Sequence, residues 1–359
     1  MKHIKKISLL TILFIFSSCE TEESNKERFD IENMLHSVSK TVIIPTTSLF
    51  VITSEELVNK ALLLQAENNL NNFENFTQAW YHAMDGWQTM QVVNFGELSK
   101  MYYNVSIANW PANSFFIDQI ISGNEEISPT YIDNKGGSSK GLFGIEYLAF
   151  DKNKPTAALH ASITERYLGY FIAVAQNNLK YATLIENYWL ENASEFTAAT
   201  TNGIDGSITL MVNQIVHLID DFAKNKIGRQ AALYNSTNKS PEDTECYRSA
   251  YSYECLLHGT QSLQAFFKGN SSTIEELPGI DDYLDQVQGD SILSTEINQQ
   301  FQYIYSLLSS DQSLADDIEK DAKHINDLYK AYRALGVLFN TDVASLLSIT
   351  IVPSDADGD

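Results

Sequence analysis

Apolar residues recur every three or four positions through most of the chain, and this helical period constrains the fold more than any other feature. One long apolar stripe runs from Ile318 to Leu338. It begins beside Asp316, Asp317 and Glu319, which favour the positive end of a helix dipole. Alternating patterns typical of strands are scarce, so we predict an all-α protein. The clearest stripe comprises Ile204, Ile208, Met211, Val212, Ile215, Leu218, Ile219 and Phe222.

Helix-capping residues and helix-breaking residues indicate where the other helices begin and end. Thr53 and Glu56 have the spacing of a capping box, so we predict that a helix begins there, after a break at Pro45. Further helices are predicted over 73–93, 157–195, 244–267 and 295–308. Two stretches rich in glycine and polar residues, 121–140 and 225–241, are predicted to be long loops, which often carry function in compact helical proteins.

The length of the chain favours two domains, because 359 residues exceed what one hydrophobic core usually serves. The composition changes over 197–206, a stretch rich in Thr, Ala, Asn and Gly. We therefore predict two packed helical bundles, an N-terminal domain over 31–200 and a C-terminal domain over 201–359. Their similar size suggests the duplication of one bundle, although the two halves do not align convincingly by eye.

Residues 1–18 have the pattern of a secretory signal peptide, in which three lysines precede an apolar run over 7–16. About ten apolar residues are too few for a transmembrane helix, which needs roughly twenty. Small residues directly before Cys19 match a lipobox. We therefore predict that the signal peptide is removed, that Cys19 is lipidated, and that the lipid anchors the protein in the outer membrane, on the periplasmic face or the cell surface.

The stretch after Cys19 is polar and acidic, so we predict an unfolded tether over 19–30. It is either a solvated linker or an export signal, since it resembles the acidic signal that follows the lipidated cysteine in surface lipoproteins of Bacteroidetes.

The chain is strongly acidic, with 46 acidic and 24 basic residues and a formal charge of −22, or about −25 without the three lysines of the signal peptide. Phosphates would be repelled by this charge, so we predict no nucleic-acid partner. Besides Cys19, the cysteines are Cys246 and Cys255. On one helix they would lie about 13 Å apart, so a bridge would require a turn between them, and we predict two buried free thiols.

Common catalytic motifs are absent: the sequence has no phosphate-binding loop, no Gly-x-Ser-x-Gly, no Cys-x-x-Cys and no His-Glu-x-x-His. Glu146 nevertheless interrupts an apolar segment that follows a glycine-rich loop. A buried carboxylate needs a partner or shifts its pKa, which is typical of functional sites. The alternative is a helix carboxylate that points to water or caps the loop.

The segment Gly141–Leu148 resembles the Gly-x-His-x-x-Glu signature of the imelysin-like proteins, in which an aromatic residue and leucines follow the glutamate. The resemblance covers residues 36–359 and identifies the chain as similar to the Bacteroidetes members of that family. Other segments agree in the same order along the chain: Ile44-Pro45 with Phe50, Gln78–Trp87, Asn94–Gly96, Ile107–Pro111 with Asp118, Arg166–Leu168, Lys226–Gly228, Glu245–Ser252 and Asp355–Asp359.

The resemblance implies two helical domains, a link to iron uptake and a site between the domains near the glutamate. It also implies iron or another metal as a cofactor. The family's histidine position is Phe143 here, and phenylalanine neither ligates a metal nor accepts a proton, so this chain's motif does not support that cofactor. The expected ligand cleft is formed by Glu146, Tyr147, Arg166, Ser249 and Ser252.

Three functional hypotheses follow from the resemblance. The first is a non-catalytic binding component of an iron or haem uptake system, which the loss of the histidine at Phe143 favours. The second is a peptidase of the imelysin type acting on extracytoplasmic proteins, for which the sequence provides no catalytic residue. The third is a structural lipoprotein that binds another outer-membrane protein.

Other candidate groups have a simpler structural interpretation. Each of three histidines precedes a carboxylate by three residues, a spacing that allows shared metal ligation but also arises by chance in an acidic chain. Alternating aspartates at 355–359 lack the bidentate glutamate of a calcium loop, so we predict a tail. An aromatic set could line a pocket, although core packing is its default role. The histidine pairs are His82/Asp85, His217/Asp220 (with Asp221) and His324/Asp327, and the aromatic set is Trp80, Trp87, Tyr102, Tyr103 and Trp110.

Overall fold

The computed structural model describes residues 29–270 and 277–352. The predicted signal peptide, the lipidation site at Cys19, most of the acidic tether and the aspartate-rich tail lie outside the described residues. Within the described ranges no residue is in a β-strand, and the prediction of an all-α protein is confirmed.

The described part of the first half, from residue 29 onward, contains nine α-helices, which are α1 (Ile31–Val38), α2 (Ile44–Ala66), α3 (Leu70–Met90), α4 (Tyr103–Ile107), α5 (Ser114–Ser122), α6 (Pro129–Asp133), α7 (Gly141–Ala149), α8 (Thr156–His160) and α9 (Glu165–Ala198). In the described part of the second half, the α-helices are α10 (Ser207–Asp220), α11 (Ser252–Lys268), α12 (Ile280–Gln288), α13 (Ile292–Leu308), α14 (Leu314–Lys320), α15 (Ala322–Val337) and α16 (Ala344–Leu346).

Shorter helical turns join these elements. Among the described residues, three segments have π-helical geometry: Ser39–Ile43 between α1 and α2, Asp221–Gly228 after α10, and Leu338–Val343 between α15 and α16. Each directly follows the α-helix before it. Single 3₁₀ turns occur at Gln91–Val93, Ser99–Met101, Gly137–Ser139 and Pro241–Asp243.

One continuous hydrophobic core contains residues from both halves of the chain, from Met34 to Ile349. In the first half, α2 packs along α3 and α9, and α3 also packs against α11 of the second half. The helices of the two halves therefore meet directly over a shared apolar interior. The division at residue 200 and the duplication of a bundle stay predictions.

The helix predicted to begin at Thr53 begins earlier. Helix α2 starts at Ile44, and Pro45 lies in its first turn, directly after the π-helical segment Ser39–Ile43. The Thr53 hydroxyl donates to the carbonyl oxygen of Phe50 at 3.2 Å, within the helix. The capping-box prediction was wrong because Pro45 does not interrupt the helical run, which continues from the π-helical segment into α2 and past Thr53.

The stripe over 318–338 forms two helices and not one. Helix α14 ends at Lys320, and Asp321 adopts a non-helical conformation whose carboxylate accepts from the backbone N–H of His324 at 3.0 Å. This cap begins α15 and interrupts the helix within an unbroken apolar period. Likewise, the predicted loop over 121–140 contains the short helix α6 and a 3₁₀ turn.

The continuous helical run Ile31–Ala66 is long and apolar enough to cross a membrane by length and composition, and no other helix in the described ranges meets that test. Half of its most apolar window is buried against the rest of the protein. A core helix of a folded domain meets the same criterion, and α2 packs here against α3 and α9.

Candidate functional site

The glycines of the motif allow helix α7 to approach its neighbours closely. Gly141 has a φ of +74°, in the left-handed region that favours glycine, and a Cβ there would overlap the carbonyl oxygen of Ile107. A Cβ on Gly144 would overlap the hydroxyl of Tyr170, which is buried and donates to the carbonyl oxygen of Ser139 at 2.9 Å. Both glycines are therefore required by packing around α7.

Buried hydrogen bonds hold the start of α7 in place. The indole N–H of Trp80 donates to the carbonyl oxygen of Leu142 at 2.8 Å. Phe143, at the family's histidine position, is buried in the hydrophobic core. Trp80 and Trp87 are also core residues, so the structural interpretation of these aromatic residues is correct.

The glycine-rich loop before α7 is attached to α9 through Asp133. Its carboxylate accepts from Lys180 at 2.7 Å, from Tyr181 at 2.7 Å and from Asn177 at 2.9 Å. The hydrogen bond from Lys180 holds the pKa of Asp133 well below its usual range. Lys140 donates to the carbonyl oxygen of Asp133 at 2.8 Å, which completes the attachment.

Glu146 joins the two halves of the chain. Its carboxyl group is buried, and Oε1 accepts two hydrogen bonds from Ser249, one from the backbone N–H at 3.0 Å and one from the hydroxyl at 2.8 Å. Ser249 precedes α11, so the contact spans 103 positions in sequence. The expected approach of Glu146 and Ser249 across the two halves is present in the structure.

Burial sets the protonation of Glu146. Loss of solvation raises its pKa to about 7, against the hydrogen bonds from Ser249 and the positive charge of Arg248, which lower it. The nearby carboxylate of Glu245 adds to the rise. Near neutral pH the carboxyl group is therefore divided between its protonated and ionised forms, as the sequence suggested for a carboxylate in an apolar segment.

The turn that presents Ser249 is held by a buried ion pair. Lys226 lies 2.9 Å from Glu245, and it also donates to Gln88 of α3 at 3.0 Å. Burial alone would lower the pKa of Lys226, but Glu245 and Asp221 raise it above its ordinary value. The lysine is therefore charged, and it attaches the turn to the first half of the chain.

Ser252 contributes to this turn and does not contact Glu146. Its hydroxyl is buried and donates to the carbonyl oxygen of Glu245. Ser252 is also the first residue of α11, so this hydrogen bond fixes the turn against the helix that follows it. Ser252 therefore helps to fix the turn that carries Ser249.

Tyr147 lies beside the Glu146 contact and is partly exposed. The guanidinium of Arg248 lies 5.1 Å from the centre of its ring, within the range of a cation–π interaction. Its hydroxyl is 3.2 Å from both carboxylate oxygens of Asp118 on α5. The structure therefore connects Tyr147 to both halves, through Arg248 and Asp118.

Arg166 lies apart from these residues. Its guanidinium donates to the carbonyl oxygens of Ile120, Ile121 and Glu125, at the end of α5 and in the loop after it. The last carbonyl groups of a helix lack internal partners, and a positive charge there also complements the helix dipole. Arg166 is thus placed to cap α5, and no hydrogen bond joins it to the other four expected site residues.

A second polar chain lies next to the Ser249 turn. Tyr81 of α3 packs on Tyr251, with ring centres 4.5 Å apart, and its hydroxyl approaches the carbonyl oxygen of Ser249 at 3.4 Å. Tyr251 donates to Asp85 at 3.2 Å, and His258 lies 3.3 Å from the other oxygen of that carboxylate. Burial raises the pKa of Asp85, an effect that His258 opposes.

The three histidine pairs do not form shared sites in the structure. His82 bonds Glu56 at 3.0 Å instead of Asp85, and His217 bonds the carbonyl oxygen of Val352 at 3.1 Å. His324 is 4.0 Å from Asp317 and not paired with Asp327, which bonds Lys323. The partner of each histidine lies on another segment of the chain: Glu56 on α2, Val352 after α16 and Asp317 on α14.

The residues at the motif do not fit a metal ion. Phe143 has no donor atom, and Glu146 Oε1 already accepts two hydrogen bonds from Ser249. Nowhere in 29–270 and 277–352 do three or more His, Cys, Asp or Glu side chains come close enough together to hold one.

A cavity of about 890 Å³ lies away from Glu146, between the segment after α3, the end of α9 and the start of α10. Both halves of the chain line it, and it includes the Asn94–Gly96 turn that the family resemblance singled out. Tyr102, expected among the aromatic candidates, is exposed at its edge. The lining residues that matter for its chemistry are Phe95, Tyr188, Trp189, Glu97, Glu195 and Asp205.

Sequence reasoning identified Glu146 because a single acid in an apolar run is conspicuous. It did not predict the partners of Arg248, Lys226 and Asp85, which are distant in sequence. The segment Glu245–Ser252 was noted only as part of the resemblance, and its mixture of charge, serine and cysteine was the available signal.

The fold and site together define a class: an all-α protein in which a glycine-flanked glutamate on a short buried helix meets a turn from the other half of the chain. The sequence profile of the imelysin family, peptidase M75, matches residues 43–341. The chain belongs to the imelysin family, and the resemblance seen in its motifs is confirmed. No curated protein is significantly similar to it in sequence.

Two solved structures share the fold. An imelysin-like protein from Psychrobacter arcticum 273-4 superposes with a TM-score of 0.75 at 16% identity, covering 91% of this chain and 99% of that chain. A protein from Parabacteroides distasonis ATCC 8503, named as an iron-regulated protein A precursor, superposes with a TM-score of 0.73 at 15% identity, covering 88% of this chain and 95% of that chain.

Gly144→Ala should destabilise the protein by about 1–3 kcal/mol, because the added methyl group must displace the buried hydroxyl of Tyr170. Urea unfolding followed by circular dichroism measures this. Gly136→Ala is the matched control, since nothing lies within 4 Å of a Cβ there. Combining Gly144→Ala with Tyr170→Phe should recover part of the loss, and equal stability of the two single glycine variants would contradict the packing argument.

Glu146→Gln should flatten the dependence of stability on pH. The pKa of Glu146 in the folded protein, about 7, exceeds its ordinary 4.5, so its contribution is complete below about pH 4.5 and is lost as the pH rises through 7. Wild type should therefore lose about 2–3 kcal/mol relative to the variant between pH 4.5 and 8.

Urea unfolding at several pH values measures this difference. Asp317→Asn is the comparison variant, because it removes a buried carboxylate of α14 that accepts from Tyr253 at 2.7 Å. Parallel pH profiles for wild type and Glu146→Gln would show that Glu146 does not titrate as described.

Proposed function

We propose that this chain is a non-catalytic binding component of an iron or haem uptake system, exported from the cytoplasm and anchored to the outer membrane through lipidated Cys19. The link to iron rests on membership of the imelysin family and on the printed name of the Parabacteroides distasonis relative. Export and anchoring rest on the signal-peptide pattern over 1–18 and the lipobox that ends at Cys19.

One observation carries the non-catalytic part of the proposal. At the motif, the histidine position is a buried phenylalanine, and the remaining Glu146 is occupied by two hydrogen bonds from Ser249. A histidine and a glutamate on one helix face could share a metal or exchange a proton, whereas Phe143 can do neither. The motif thus connects the two halves of the chain through the hydrogen bonds between Glu146 and Ser249.

The binding site is proposed at the seam, the region where the two halves of the chain meet. Two locations in this region could hold a ligand. One is the surface around Glu146, Tyr147 and Arg248. The other is the cavity of about 890 Å³, which combines aromatic side chains with acidic groups and is large enough for a small organic ligand. Ligand sites commonly occupy such seams, so variants at both places belong in the test.

Iron(II), iron(III) and haem should each be titrated into the full-length protein by calorimetry, and we expect one of them to bind and to raise the melting temperature. Bound ligand stabilises the folded state in proportion to the logarithm of its concentration. Leu210→Trp fills the cavity, and Glu146→Gln alters the motif. Loss of binding in one variant alone, by tenfold or more, would assign the site.

A strain lacking the gene provides the cellular readout, with an expected growth defect that appears only under iron limitation. The absence of both the growth defect and binding would overturn the proposal. Co-purification with a neighbouring outer-membrane transporter, without binding of iron or haem, would favour a structural lipoprotein that recognises another protein.

A second candidate function is favoured by the Ser249 hydroxyl, which lies 2.8 Å from a carboxyl group whose pKa is about 7. A serine beside a group that can accept its proton is the arrangement that nucleophilic catalysis requires. This geometry is the one structural argument for an imelysin-type peptidase in this chain.

A serine-directed fluorophosphonate probe, applied to the full-length protein and followed by mass spectrometry, separates the two candidates. The non-catalytic proposal predicts that Ser249 stays unlabelled. Labelling that Ser249→Ala abolishes and Ser252→Ala leaves intact would establish the peptidase candidate. Ser252 is a fair control because its hydroxyl is buried one turn away against the carbonyl oxygen of Glu245.

A further inference from the structure

The thiols of Cys246 and Cys255 lie in contact beneath the Ser249 turn. Their sulfur atoms are 3.2 Å apart, both side chains are buried, and neither is bridged in the structure. The prediction of two buried free thiols describes this state, and the turn that a bridge would require is present. We propose that Cys246 and Cys255 form a disulfide bond that closes the turn carrying Ser249.

The backbone brings the two cysteines together. Cys246 has a φ of +56°, and its carbonyl oxygen accepts from the backbone N–H of Tyr251 at 3.1 Å, so the chain reverses direction between them. Tyr251 then accepts from the N–H of Cys255 at 3.1 Å, at the start of α11. The reversal overcomes the separation that nine residues on one helix would impose.

Formation of the bond requires an oxidant, here a protein or small-molecule disulfide. One cysteine thiolate attacks the oxidant's disulfide and forms a mixed disulfide, releasing one oxidant thiolate. The second cysteine thiolate then displaces the remaining oxidant sulfur and forms the Cys246–Cys255 bond. The two cysteines lose two electrons and two protons, and the oxidant is reduced to two thiols.

The burial of the pair indicates when this reaction occurs. Burial raises the pKa of both thiols, so the thiolate that must attack is scarce in the folded protein. Oxidation therefore takes place while the chain is folding, before α11 covers the turn. Once formed, the bond lies in the core, where reductants reach it slowly.

The disulfide bond would restrain the loop that faces the motif of the candidate site. The loop closed by the bond contains Arg248, which lies over Tyr147, and Ser249, which donates twice to Glu146. Cross-linking this loop restricts the unfolded chain and keeps both residues opposite the motif. The pairing itself rests on geometry, whereas its formation in cells rests on the proposed export to an oxidising compartment.

Trypsin provides a direct assay, because it cleaves after Lys239, Arg248 and Lys268 and so places the two cysteines in separate peptides, 240–248 and 249–268. The full-length protein is refolded in a glutathione redox buffer, denatured, treated with iodoacetamide and digested without reductant. We expect the two peptides to be linked, with a mass two hydrogens below their sum. The same protein reduced before alkylation is the control, and both peptides should then be alkylated and unlinked.

Two results would overturn the bridge. One is alkylation of both cysteines after refolding with excess glutathione disulfide. The other is protection of both thiols without a link, reversed by a chelator, which would indicate a metal ion between them. A link formed in vitro but absent from protein isolated from cells supports the pairing and counts against export.

Stability measurements provide a second, independent readout. Reductant should lower the melting temperature of the refolded wild-type protein by several degrees and leave that of Cys255→Ser unchanged. The wild-type comparison stays informative if the variant folds poorly. Equal melting temperatures for linked and reduced wild-type protein would contradict the proposed closure of the Ser249 turn.

Discussion

The contact between Glu146 and Ser249 is the constraint around which the centre of the protein is arranged. A carboxyl group can be buried only where donors meet it or where it takes up a proton, and here both conditions contribute. The glycines of α7 let the helix settle deeply enough for Glu146 to reach across the interior. On the other side, the Lys226–Glu245 ion pair holds the turn that supplies both donors. Displacing either element would leave a polar group buried without its partner.

The substitution at Phe143 changes what this arrangement can do. Phe143 is an apolar core residue three positions before Glu146, so α7 offers the glutamate no second metal ligand or proton acceptor at that position. At the same time, the open volume lies elsewhere along the seam, beside the Asn94–Gly96 turn. The Glu146–Ser249 contact and the cavity are therefore separate in this member of the imelysin family, and a molecule in the cavity would contact both halves of the chain without touching the motif.

The fold class and the principal helices were predictable because periodic burial is a local signal, and Glu146 was predictable because one acid stood in an apolar run. The interruption at Asp321 was not, since the apolar period continues unbroken through a cap that only backbone geometry shows. The pairings between residues of the two halves of the chain could not be predicted from the sequence either. Nothing near Lys226 in sequence indicates that Glu245 and Gln88 are its partners. The sequence likewise does not indicate that the guanidinium of Arg166 donates to carbonyl oxygens at the end of α5.

The π-helical segment Ser39–Ile43 joins α1 and α2 into one continuous helical run, Ile31–Ala66. Its hydrogen bonds join residues five positions apart, one position more than in an α-helix. Removing a single residue there would yield a regular α-helix, whereas the same deletion in the middle of α2 would rotate every later side chain by about 100°. The junction is thus a place where the length of the chain can change by one residue at small cost, which gives related sequences a route to alter the register of their first long helix without rebuilding the core.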